Sequence, residues 1–113
     1  MLRPGERLDA GARLASCDGR FFLAMQRDGN LVLYQHGVGA LWHTGTHDTF
    51  ARVAIMQHDG NFVVYDAAFA RAYWHTGTHG NPGAFLAVQD DANLVVYTSG
   101  GRPLWDRHDG RLD

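Results

Sequence analysis

Apolar positions along this chain fall in short runs at regular intervals, without the three-and-four spacing of an amphipathic helix. The runs FFLAM at 21–25, VAIM at 53–56 and FLAV at 85–88 each lead into a stretch of nine residues. That stretch reads QRDGNLVLY at 26–34, QHDGNFVVY at 57–65 and QDDANLVVY at 89–97. A bend rich in Gly or Ala follows each, at 37–39, 67–70 and 99–101, and then a segment carrying Trp42, Trp74 or Trp105. Runs of this length, filled with Val, Phe and Tyr and bounded by Gly and Asp, read as strands. The stretch DAAFARAY at 66–73 has a helical composition, but its counterparts are Gly-rich, so a loop is predicted there. Each unit should hold three or four short strands.

The Gln residues that open the motif are 31 and 32 positions apart, and the three Trp are 32 and 31 apart. Three copies of one unit therefore run from about Leu14 to the end, after a lead-in, RPGERLDAGARL. One domain over 1–113 is expected. A unit this small cannot bury its apolar face alone, so the three should close into a pseudo-threefold arrangement. The common axis is the economical meeting place for three equivalent Trp side chains.

Composition sharpens the class. The chain has no Lys, a single Glu (Glu6) and fourteen Gly among its 113 residues, which points to an all-β fold. A net charge of −2 with only ten basic residues argues against nucleic acid or an anionic membrane as partner. No run approaches the ~20 apolar residues of a membrane-spanning helix. The first eleven residues lack the apolar core of a secretory signal, and the lone Cys17 allows no internal disulfide. The expectation is a cytoplasmic or non-classically released protein, or a core that suffices without a bridge.

Read as one extended strand, the motif places alternate residues on one face. That face holds Gln26, Asp28, Asn30, Val32 and Tyr34 in the first copy, and Gln57, Asp59, Asn61, Val63 and Tyr65 in the second. In the third it holds Gln89, Asp91, Asn93, Val95 and Tyr97. A hairpin turn at Asp-Gly is the competing reading. The unbroken alternation and Ala92, where such a turn wants Gly, favour the strand. An acceptor-only carboxylate, two amides and a phenol suit the vicinal hydroxyls of a sugar, and the Val suits the C–H face of its ring.

This pattern, QxDxNxVxY in three tandem copies, resembles the bulb-type mannose-binding lectins, also called the monocot or snowdrop-type lectin family. The lead-in RLDAGARL and the runs WHTGT at 42–46 and 74–78 match as well, so the resemblance spans nearly the whole chain. It implies a β-prism II fold, three four-stranded sheets each with one sugar site and no metal. It also implies roles: Asp28, Asp59 and Asp91, with Asn30, Asn61 and Asn93, on the axial O2 of mannose; Gln26, Gln57 and Gln89 on O3; Tyr34, Tyr65 and Tyr97 on O4; Val32, Val63 and Val95 on ring carbons.

The chain departs from the plant members in two places. They usually carry a disulfide, and here Gly29 stands where one of its cysteines would be. The third Trp segment, WDRH at 105–108, lacks Thr-Gly-Thr. Plant relatives often exchange this C-terminal strand between subunits, so a homodimer through 103–108 is expected. The histidines of the two HTGTH runs (His43 and His47, His75 and His79) supply no third ligand for a metal. Each motif face presents one carboxylate, whereas glycoside hydrolysis needs two, so an enzyme is not expected. The remaining alternative is a structural or protein-interaction module with vestigial sugar sites.

Overall fold

The computed structural model describes residues 1–112. Within them the chain forms twelve short strands: β1 (Arg7–Asp9), β2 (Arg13–Ala15), β3 (Phe21–Met25), β4 (Leu31–Gln35), β5 (Gly39–His43), β6 (Ala51–Met56), β7 (Phe62–Asp66), β8 (Ala72–His75), β9 (Phe85–Val88), β10 (Leu94–Tyr97), β11 (Pro103–Asp106) and β12 (Gly110–Arg111). They make three antiparallel four-stranded sheets, ordered β2-β3-β4-β5, β1-β6-β7-β8 and β12-β11-β10-β9. Every repeat supplies a three-stranded meander, the lower of the two counts that its runs and turns allow. The fourth strand comes from outside the meander. The lead-in gives β2 to the first sheet and β1 to the second, and β12 completes the third.

Alternation along the strands decides which face turns inward. In β3, Phe21, Leu23 and Met25 are buried while Phe22 and Ala24 are half-buried. Leu31 and Leu33 of β4, Phe62 and Val64 of β7, and Leu94 and Val96 of β10 lose all exposure. With Met56 and Leu86 they fill the space enclosed by the three sheets. A bridge between Leu2 and Leu86 fixes the N-terminus along the outer edge of β9.

The three tryptophans meet as expected. Their ring centroids are 5.5 Å (Trp42–Trp74), 5.7 Å (Trp42–Trp105) and 5.6 Å (Trp74–Trp105) apart, all edge to face. In this geometry the positive ring edge meets the negative face, adding to area burial. Each meander also breaks register at one equivalent point, after Leu33, Val64 and Val96. A bulge there re-aims the residue that follows, and in each case that residue is the motif tyrosine.

Candidate functional site

The nine-residue motif is not one strand. Residues 26–30 form the turn between β3 and β4: Gln26 N–H donates to Asn30 O at 2.9 Å, and Gly29 N–H to Gln26 O at 3.1 Å. The same bonds close 57–61 and 89–93. Extended structure resumes at Leu31, Phe62 and Leu94. The hairpin reading set aside above is therefore correct, and the alternation of polar residues across the turn does not define a strand face. Gly29 and Gly60 take φ of 96° and 94°, and Ala92 follows them at 75°. What holds the turn is the aspartate. Oδ1 of Asp28, Asp59 and Asp91 accepts the N–H of Asn30, Asn61 and Asn93 at 2.9 Å in all three copies. This Asx turn is stable enough to carry alanine in the left-handed region.

The turn nevertheless gathers the five motif side chains. Gln26 and Tyr34 are hydrogen-bonded, as are Gln89 and Tyr97, and Gln57 Nε2 lies 2.5 Å from the Tyr65 hydroxyl. With its amide oxygen accepting from Tyr34, the Gln26 NH₂ donates to both carboxylate oxygens of Asp28 at 3.2 and 3.3 Å. Val32, Val63 and Val95 are only 2–3% exposed yet stand apart from the central core, forming a floor on the outer face. The aspartates are exposed and the Gln, Asn and Tyr half-buried, so polar atoms at the rim remain open to a ligand.

The sequence reading missed what orients the asparagines. Oδ1 of Asn30 accepts from Gly45 N–H (3.1 Å), Thr46 N–H (3.2 Å) and the Thr44 hydroxyl (3.4 Å). Asn61 is held likewise by Gly77, Thr78 and Thr76. The hydroxyls of Thr46 and Thr78 then donate to the turn carbonyls of Gly29 and Gly60 at 2.6 Å. Thr-Gly-Thr is thus a cradle that consumes the amide oxygen and leaves Nδ2 to donate. Its signal, an identical HTGTH run after two motifs, is visible in the sequence, which supports the resemblance without showing that the threonines turn to the asparagine. His43 and His75 sit beside the same amides, with Nδ1 at 3.4 and 3.3 Å from Asn30 and Asn61 Nδ2. The third copy has no such cradle. Arg107 Nε donates to Ala92 O at 2.8 Å, taking the place of the threonine hydroxyl, and Asn93 Oδ1 accepts from Leu94 N–H. Among the described residues no group of three or more His, Cys, Asp or Glu converges as a metal would need.

The third site is buttressed from the first sheet. Asp18 N–H donates to Asp90 Oδ1 at 3.1 Å, and the Arg20 guanidinium to Asp90 O at 2.6 Å. The Arg20 N–H at 3.0 Å, seconded by the Arg20 guanidinium and the Ser16 hydroxyl, holds the Asp18 carboxyl down to about 2. The interactions of this carboxylate are therefore complete above the ordinary aspartate value of 3.8 and disappear as pH falls through about 2. A carboxyl-carbon NMR titration should give Asp18 a midpoint near 2, and a midpoint near 4 would show that the Arg20 contacts do not persist in solution.

No protein-family model matches the chain. A mannose-specific lectin of Dendrobium findlayanum is 46% identical over 66 residues, which is 58% of this chain and 38% of that protein. The match thus spans well under half of that relative's length. Among solved structures, a monomeric monocot mannose-binding lectin from Gastrodia elata superposes with a TM-score of 0.82 at 34% identity, covering 96% of each chain. A domain-swapped lectin dimer from Mycobacterium smegmatis is 43% identical, with a TM-score of 0.57, over 94% of this chain and 96% of its own.

Proposed function

Because the chain belongs to the bulb-type mannose-binding lectin family, we propose that it is a non-enzymatic lectin, a single domain over 1–113, that binds mannose or mannosylated glycans at three sites. The observation that carries this reading is the recurrence of one arrangement. Three Asx turns present the same carboxylate, amide pair and phenol above a valine floor. In this reading Asp28, Asp59 and Asp91 accept from O2, and Asn30, Asn61 and Asn93 donate to it through Nδ2. Gln26, Gln57 and Gln89 reach O3, and Tyr34, Tyr65 and Tyr97 reach O4. The ring carbons rest on Val32, Val63 and Val95. Two side chains converge on one axial hydroxyl, so its equatorial epimer leaves both unpaired, and such sites discriminate steeply.

Calorimetric titration with methyl α-mannoside, set against the α-glucoside and α-galactoside, tests the reading. Three equivalents of mannoside are expected to bind, with far weaker heats from the other two sugars. Changing Asp28, Asp59 or Asp91 to Ala should remove one equivalent each, since losing a charged acceptor costs about 1.5–3 kcal/mol. Chelator should change nothing. If no sugar gives heat, the chain is an interaction module instead.

The proposal extends to a homodimer through β11. This strand follows a tight bend in which Gly101 N–H donates to Thr98 O at 2.9 Å, and it brings Trp105 into the tryptophan cluster. A partner's β11 would bring an equivalent tryptophan to the same place. Light scattering should give twice the chain mass at micromolar concentration, and a monomer there would end the idea.

A further inference from the structure

The three sites differ in charge just beyond the Gln–Tyr edge. Beside the first lies a groove of about 560 Å³ whose walls include Arg13, Phe22, Gln26, Arg27 and Tyr34. Both arginines are exposed. Neither guanidinium makes an ion pair or a hydrogen bond among the described residues. Arg13 lies over the Phe22 ring, 4.9 Å from its centroid. Arg27 crosses the position where any side chain at Gly11 would sit: a Cβ there would come within 2.8 Å of Nη2. The ring and the glycine thus hold two cations without an anionic partner along the walls of one groove.

The other two sites lack this. Position 27 corresponds to His58 in the second copy and to Asp90 in the third, so the series runs from cation to anion. The edge strand of the second sheet does carry Arg7, in register with Ile55 as Arg13 is with Ala24. But Arg7 is paired with Asp9 at 3.2 Å, and the larger Ile55 stands where the first site has Ala24. In the third site the acidic Asp90 occupies the groove wall, and the arginine nearest it in the bonding, Arg20, is already paired with Asp18.

We propose that the first site is selective for mannosylated glycans bearing an anionic group, a phosphate ester on the sugar or the carboxylate of an adjoining uronic acid, which Arg13 and Arg27 clamp beyond Gln26 and Tyr34. This rests on the mannose reading above and adds the ligand's charge to it. Guanidinium forks match both anions, since each presents a pair of oxygens. Because the pair is exposed, its effect is moderate and screened by salt.

The test titrates three ligands into the full chain: methyl α-mannoside 3-phosphate, a glucuronyl-1,3-mannoside, and the uncharged glucosyl-1,3-mannoside. At low salt one site of three should bind an anionic ligand about tenfold more tightly than the neutral disaccharide, with the advantage shrinking as salt rises. Whichever anionic ligand gains more identifies the source of the charge. The Arg13→Gln, Arg27→Gln double variant should erase the advantage while binding three equivalents of methyl α-mannoside as before. Asp28→Ala should remove the tight class altogether. If the mannoside binds at three sites but charge brings no gain, or the gain survives the double variant, this inference is overturned and the mannose reading stands. If the mannoside itself does not bind, both fall.

Discussion

Replacing Trp105 with alanine is expected to destabilise the protein by about 3–5 kcal/mol, the range for removing a large buried aromatic. Trp105 is 6% exposed, and its ring makes edge-to-face contact with both Trp42 and Trp74. Each sheet contributes one of these rings, so the cluster is where the three sheets are joined to one another. Removing one ring leaves a cavity that two rigid indoles on separate sheets cannot close by small shifts. Against a total stability of about 5–15 kcal/mol, the loss is a large fraction. Denaturant unfolding should show a midpoint shift of that size with an unchanged slope, and Trp105→Phe should fall between variant and parent. A loss under about 1 kcal/mol would mean that the cluster caps the prism without holding it.

The sequence carried this cluster openly, because three tryptophans at nearly constant spacing in an all-β repeat have few other places to go. The three apolar runs were equally legible: they are β3, β9 and most of β6. The fourth strand of each sheet was less so. β1 and β2 are three residues long and β12 is two, too short for any periodicity to register. Their positions follow from pairing with an edge, as in Arg7 with Ile55, which is a long-range fact.

The site divides in the same way. All fifteen motif residues come together at three turns, yet from a hairpin and not from the continuous strand that their alternation predicts. Polar residues at every second position mimic a strand because an Asx turn of five residues also returns its alternate side chains to one rim. Ala92 made the error persuasive, since a positive φ normally selects glycine. Nothing local announces that Arg107, fifteen positions later, donates to the Ala92 carbonyl. The threonine cradle was hidden for a related reason: its partners, Asn30 and Thr46, are separated by a whole strand pair.

The comparison of Gly60 with Ala92 gives a second large expected effect. Both occupy the same turn position with left-handed backbones, at φ of 94° and 75°. A Cβ on Gly60 would lie 2.3 Å from Asn81 O and 2.8 Å from its carbonyl carbon. That backbone cannot step aside cheaply. Asn81 N–H donates to Asp59 O at 3.0 Å, and its side chain to Thr78 O at 2.9 Å. Thr78 in turn holds the Gly60 carbonyl, so any shift loosens the cradle around Asn61. Gly60→Ala is therefore expected to cost at least about 3 kcal/mol and to empty the second sugar site. The third copy escapes because Arg107 reaches the turn through a long side chain, where the second copy brings a backbone segment against it. There the reverse change should help. Ala92→Gly relieves about 1–2 kcal/mol of left-handed strain and concedes about 0.5–1 kcal/mol of backbone entropy, leaving a gain of up to about 1.5 kcal/mol. Thermal melts of the two variants should move in opposite directions, and mannoside titration should find two sites in the first and three in the second. Equal melting temperatures would show that the turn relaxes freely and that its glycines are not required by the Asn81 backbone.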